Sequence, residues 1–260
     1  MTEGLRQAIK RSYSVFSKYR ANLPLDVCTD CCMTLNQTSE LASMSVQQIP
    51  FDLLYEYNTA AKPVLPNIEE FKHFLPRFLE LTAELQFVHH SAELILNRFE
   101  YYSIDEWTKE ERETLQCFAN ELFKYFLTIY PLPELETIDS IIIMLYKAQV
   151  DIKEILKEWS TIETHSSVLH LSDLVCNGFK GANNETLSSG FADNNISKLV
   201  YDWINSDFEL VKFTSQIEEI IMEPEENSDW KLNELNWTYE KLNELSYKQE
   251  KSKERHHNKS

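Results

Sequence analysis

Four glycines in 260 residues leave this chain few places to turn through positive φ. The usual share is about 7 %. Tight hairpins and phosphate-cradling loops both depend on that freedom, so a β-sandwich and a Gly-rich nucleotide site are disfavoured together. No G-x-G-x-x-G and no G-x-x-x-x-G-K-[ST] occurs. What dominates instead is a 3.6-residue apolar period.

That period runs through residues 5–20 as Leu5, Ile9, Tyr13 and Phe16. It returns in 49–61 behind Pro50, and in 66–85 with Phe71, Phe74, Leu75, Phe78, Leu79 and Leu85, where Pro76 must kink or end the helix. Residues 91–102 repeat it with Ala92, Ile95, Leu96 and Phe99. Thr108 and Glu111 form a T-x-x-E capping box for a helix over 108–130. Shorter helices follow at 135–148 and 151–161, broken near Gln149, and at 165–177, ended by Gly178. Three of the four glycines then fall within 177–195, which reads as loop, before helices at 196–222 and 229–250.

These elements predict an all-α fold, an irregular multi-helix bundle or a short α-solenoid-like array of helical hairpins. The expected organisation is a main helical domain over 1–177 with a Cys loop at 23–32. A linker over 178–195, a C-terminal helical segment over 196–250 and a disordered tail over 251–260 follow.

With 25 basic against 42 acidic side chains, the net charge is -17. Nucleic acid and anionic lipid repel such a chain, whereas a protein partner with a basic or neutral surface suits it. The longest apolar run, 141–146, is too short to span a bilayer, and no export signal is visible. Five cysteines without such a signal point to reduced thiols in a cytoplasm.

The chemical anomaly is "LPLDVCTDCCM" at 23–33, with Cys28, Cys31 and Cys32 inside five positions. The C-x-x-C spacing lets two thiolates meet one zinc ion, with Cys32, His73, His89, His90, Cys117 and Cys176 as candidate further ligands. Redox sensing is a second use, helped by a helix dipole if a helix starts at Asp30. Plain packing between the first two helices is the third. His89 and Glu93, four apart, border an apolar stripe, and Glu69 and Glu70 read as solvated-face residues beside His73. Arg77 and Arg98, set among aromatics, read as stacked or ion-paired side chains. The five tryptophans read as core anchors, with Trp230 and Trp237 facing either the body or a partner.

No nucleophile–base pattern stands out. The reading is therefore a non-catalytic cytoplasmic binding or regulatory protein, immunity- or antitoxin-like, engaging a protein partner. The alternative is a zinc-binding or redox-sensing helical protein using Cys28, Cys31 and Cys32.

The order of an N-terminal helix, a C-x-x-C loop, "FKHFLPRFLEL", Trp107-x-x-x-Glu111, a long aromatic helix and "ILKEW" resembles a group of uncharacterised bacterial helical proteins. These carry a C-x-x-C pair near the N-terminus, and the resemblance spans residues 13–160. It implies a bacterial helical protein and no particular activity, and it leaves Cys32 outside its pattern.

Overall fold

Side-chain caps set where several helices begin. A computed structural model describes residues 1–63, 66–180, 185–222 and 229–257. Thr2 accepts the Leu5 N–H at 3.2 Å and opens α1 (Glu3–Phe16). Thr34 and Gln37 form a reciprocal box on α2 (Leu35–Ser43), a helix that the periodicity does not single out. Pro50 precedes α3 (Phe51–Thr59), and Asn67 caps α4 (Ile68–Ala83). The Thr108–Glu111 box closes as expected at the head of α5 (Lys109–Phe126), with bonds of 3.0 and 3.3 Å.

Beyond it come α6 (Ile138–Lys147), α7 (Ile152–Trp159) and α8 (His165–Asn177). A short antiparallel pair, β1 (Phe179–Lys180) and β2 (Thr186–Leu187), precedes α9 (Asn194–Ile204), α10 (Asp207–Met222) and α11 (Asp229–His257). The fold is all-α, with this two-strand pair its only sheet among the described residues. No described helix is long and apolar enough to cross a membrane.

Three local departures have physical reasons. Pro76 does not end α4, which runs through it to Ala83. The missing proline N–H deprives only the Lys72 carbonyl of its helical donor. Residues 92–101 form two 3₁₀ segments, Ala92–Leu94 and Asn97–Tyr101, in place of an amphipathic helix. There the buried Asn58 side chain donates to the Val88 and Ile95 carbonyls at 3.1 Å each. Phe99 N–H turns to the Leu96 carbonyl, one residue short of an α-helical bond. The stretch 196–222 is two helices, separated at Asn205 and Ser206. The break at Gln149 is where it was expected: φ is 60°, and the side-chain amide donates to the Phe99 and Tyr102 carbonyls at 2.9 Å.

The chain divides into two units, Met1–Tyr125 with Ser140–Ile152, and Phe126–Asp139 with Lys153–Ser260. Residues 153–177, read from the sequence as part of a 1–177 domain, fall in the second unit. In the first unit, Phe71 meets Phe99 at 5.1 Å and Tyr102 at 5.8 Å, and Trp107 stacks on Phe99 at 4.6 Å. Arg98 is buried over the Tyr57 ring at 3.7 Å, and Arg77 meets Glu80 at 2.5 Å, as the aromatic setting suggested.

In the second unit, Trp159 is buried against Trp203 at 5.0 Å and donates to the Ser167 hydroxyl at 2.8 Å. The buried Lys231 of α11 joins Asp173 of α8 at 2.6 Å and Glu234 at 2.8 Å. Trp230 and Trp237 are 63 % and 43 % exposed, so neither anchors a core. The region read as a linker carries β1 and β2, and its residues 181–184 lie outside the described set, as do 223–228 of the acidic segment. α11 runs on to His257 through residues read as a tail, and 258–260 lie outside the described set.

Candidate metal centre

The loop between α1 and α2 is held at both ends by apolar anchors. Leu25, Val27 and Met33 are buried, which pins residues 25–33 to the first unit. Asp26 N–H donates to both oxygens of Glu70, at 3.1 and 3.0 Å, and the Asp26 carboxylate accepts the Asn67 N–H at the head of α4. On the other side, Cys28 N–H donates to the Ala61 carbonyl just past α3, at 2.8 Å. Met33 N–H returns to the Cys28 carbonyl at 3.1 Å and closes the turn.

This turn brings the three thiols together. Cys28 Sγ lies 3.3 Å from Cys31 Sγ, which lies 3.5 Å from Cys32 Sγ, and all three are within 4.8 Å of one another. Cys31 is exposed, and Cys28 and Cys32 are half-buried. The group is close enough to hold a metal ion.

Its electrostatics are uneven. The Cys28 thiol is pulled below its ordinary value by the Cys31 thiol, then by the backbone N–H groups of Cys31 and Asp30. Cys31 is pushed up to about 12, since it shares its proton with Cys28 and stands between two sulfurs. No helix starts at Asp30: residues 29–32 are a turn and α2 begins at Leu35. Hydrogen bonds to sulfur, not a helix dipole, therefore favour the Cys28 thiolate.

Lys62 was not singled out by sequence, although it follows closely on α3, a position where lysine reaches the last helical carbonyls. Its ammonium donates to the Asn58 and Ala60 carbonyls at 2.7 and 3.0 Å. Burial, then Arg98, lower its pKa to about 7, while the neighbouring Cys32 works the other way. Ala61 N–H approaches Cys32 Sγ at 3.5 Å.

Glu70 is a correction. It is buried, not solvated, and receives the Tyr57 hydroxyl at 2.9 Å besides Asp26. Arg98 in turn donates to the Tyr57 hydroxyl at 2.7 Å. This buried chain of groups supports the loop from behind.

The candidate fourth ligands do not join the sulfurs. Among the described residues, no histidine, carboxylate or further cysteine completes the group at that spacing. His73 Nδ1 bonds the Tyr19 carbonyl at 3.0 Å. Cys176, in the second unit, bonds Thr238 at 3.1 Å, and Cys117 sits half-buried on α5. The His89 and His90 rings lie 4.1 Å apart, tilted by 44°, and His89 is held down to about 4 by burial, His90 and Lys62. The His89–Glu93 pairing also fails, because residues 89–91 are not helical. Compared with protein-family models, curated proteins and solved structures, the chain matches none.

Proposed function

We propose that this chain is a non-catalytic metal-binding protein in which the thiolates of Cys28, Cys31 and Cys32 hold one zinc ion. The observation that carries the reading is the convergence of three sulfurs within 4.8 Å. Zinc takes thiolates at about 2.3 Å, so two of them on one tetrahedral ion stand about 3.8 Å apart. The present separations of 3.3 and 3.5 Å need only a small opening. The N–H groups of Asp30 and Cys31 directed at Cys28 support a sulfur that carries charge. Three protein donors leave one tetrahedral position for water or for a donor from a bound partner. The acidic balance favours a protein partner of basic or neutral surface.

The test is metal content after purification under reducing conditions without a His-tag. One zinc per chain is expected, lost in the Cys28→Ser/Cys31→Ser double variant. Wild-type protein that retains no zinc after incubation and dialysis overturns the proposal.

The 3.3 Å Cys28–Cys31 separation favours a second reading, a reversible disulfide. A low-molecular-weight disulfide would take up the two electrons and two protons, leaving as two thiols. Mass spectrometry after such treatment should show the chain lighter by two hydrogens, and an unchanged mass removes this reading.

A further inference from the structure

The second unit carries a groove of about 890 Å³ lined by α7, the residues after it, α9 and the start of α10. That volume falls within the range of small-molecule sites, about 300–1,000 Å³. Its lining is ordered by exposure. Leu156 and Glu209 are buried and form the floor; Leu199 and Trp203 are half-buried walls; Phe208, 68 % exposed, stands at the edge.

Charge is ordered too. Lys157 and Lys198 stand at the rim, where Asp202 pairs with Lys198 at 2.9 Å. In a chain of net charge -17, a rim of net positive charge is a local reversal. It selects for an anionic head at the mouth.

The floor carries the second independent observation. Glu209 is 5 % exposed, and its Oε1 accepts the Ser160 hydroxyl. Its Oε2 is buried and makes no close hydrogen bond, while Lys212 and the Trp203 side chain also favour the charge of this carboxylate. An unmet buried carboxylate oxygen is costly, and a donor arriving through the groove would relieve it. The same carboxylate bars an anionic head from the floor.

We propose that this groove binds an aromatic monocarboxylate that bears a ring N–H or O–H donor. The carboxylate faces Lys157 and Lys198, the ring lies against Trp203 and Phe208, and the donor reaches Glu209 Oε2. Nothing in the three-cysteine corner enters this assignment, and the two sites are tested by separate probes.

Isothermal titration of the full chain with three matched probes tests it. Indole-3-acetate supplies all three features, 1-naphthaleneacetate lacks the N–H, and tryptamine reverses the head charge. Saturable 1:1 binding of indole-3-acetate is expected, with 1-naphthaleneacetate roughly ten-fold weaker and tryptamine weaker still. Lys157→Glu/Lys198→Glu, on exposed side chains, should weaken indole-3-acetate at least ten-fold. Lys157→Arg/Lys198→Arg should not. Glu209→Gln should erase the preference for indole over naphthalene. No saturable binding at millimolar probe overturns the proposal. So does tryptamine binding as tightly as indole-3-acetate, or an unchanged affinity in the folded Lys157→Glu/Lys198→Glu variant.

Discussion

Nζ of Lys72 lies 2.8 Å from Oε2 of Glu111, with the two side chains 3 % and 0 % exposed. Lys72 also donates to the Glu106 carbonyl at 2.7 Å and sits 4.6 Å over the Trp107 ring. Tyr19 and Lys18 complete the shell around Glu111, at 2.5 and 3.1 Å. A buried pair so fully bonded is costly to break from one side.

Glu111→Ala should therefore destabilise the first unit by about 3–5 kcal/mol in a denaturant melt. Burial alone would raise the Glu111 pKa, but hydrogen bonds from Lys72, Tyr19, the Thr108 N–H and Lys18 outweigh it and hold it at about 2. A depressed folded-state pKa contributes stability above the ordinary value near 4.5, and that contribution is lost as pH falls towards 2. The loss over this window is about 3 kcal/mol for wild type. A wild-type melt equally stable at pH 5 and pH 2 would contradict it.

Zinc at the three-cysteine corner must displace the proton that Cys31 holds with its pKa near 12. Affinity should accordingly rise with pH across the neutral range. Cys31→Ser should weaken binding by about 10- to 100-fold, read by competition with a chromophoric chelator. Co²⁺ in place of zinc should give thiolate charge-transfer absorption that weakens in the same variant. A pH-independent affinity would count against thiol ligation.

Lys62, with its pKa lowered to about 7, should be the early-titrating lysine of the first unit. Competitive acetylation against pH, read by peptide mass spectrometry, should show its midpoint near 7. Because the folded state binds this proton less well than the unfolded state, Lys62 opposes folding below pH 7. That penalty is relieved as pH rises from about 7 to 10.5. Lys62→Gln should thus stabilise the protein at pH 6 more than at pH 10. Cys32→Ser should move the acetylation midpoint further down, since Cys32 now raises it.

Lys231→Ala should leave the half-buried Asp173 and Glu234 without their cation and destabilise the second unit. Hydrogen exchange should accelerate in α8 and α11 of the second unit. Lys231→Arg should restore part of the protection, and no change in either helix would show the pair to be idle.

Helix starts were legible where the cap is local: the Thr108–Glu111 box needs only residues three apart. The break at Gln149 was legible where the apolar period stops, although its side chain is held by the distant Phe99 and Tyr102 carbonyls. The convergence of Cys28, Cys31 and Cys32 also follows from close spacing along a turn. What stayed hidden depends on distant partners. Glu70 looks like a surface acid until Asp26, 44 residues away, turns its N–H to it. The 3₁₀ course of 92–101 is decided by the side chain of Asn58, 37 residues before Ile95. Lys62 gains its character from burial and from Arg98, against Cys32, and neither of these neighbours is near it in sequence. The groove at Glu209 draws its walls from three helices that no single periodicity connects.

The chain passes between its two units more than once, since 126–139 belongs with the second and 140–152 with the first. A ribosome therefore cannot finish the first unit before starting the second. Residues 126–139 emerge early and wait for partners synthesised after Lys153. A fragment ending at Tyr125 lacks α6, which supplies buried Ile141, Ile142 and Met144 to the first unit. Expression of separate halves should yield insoluble product for every cut between residues 125 and 152, whereas a chain broken beyond Ile152 retains every residue of the first unit.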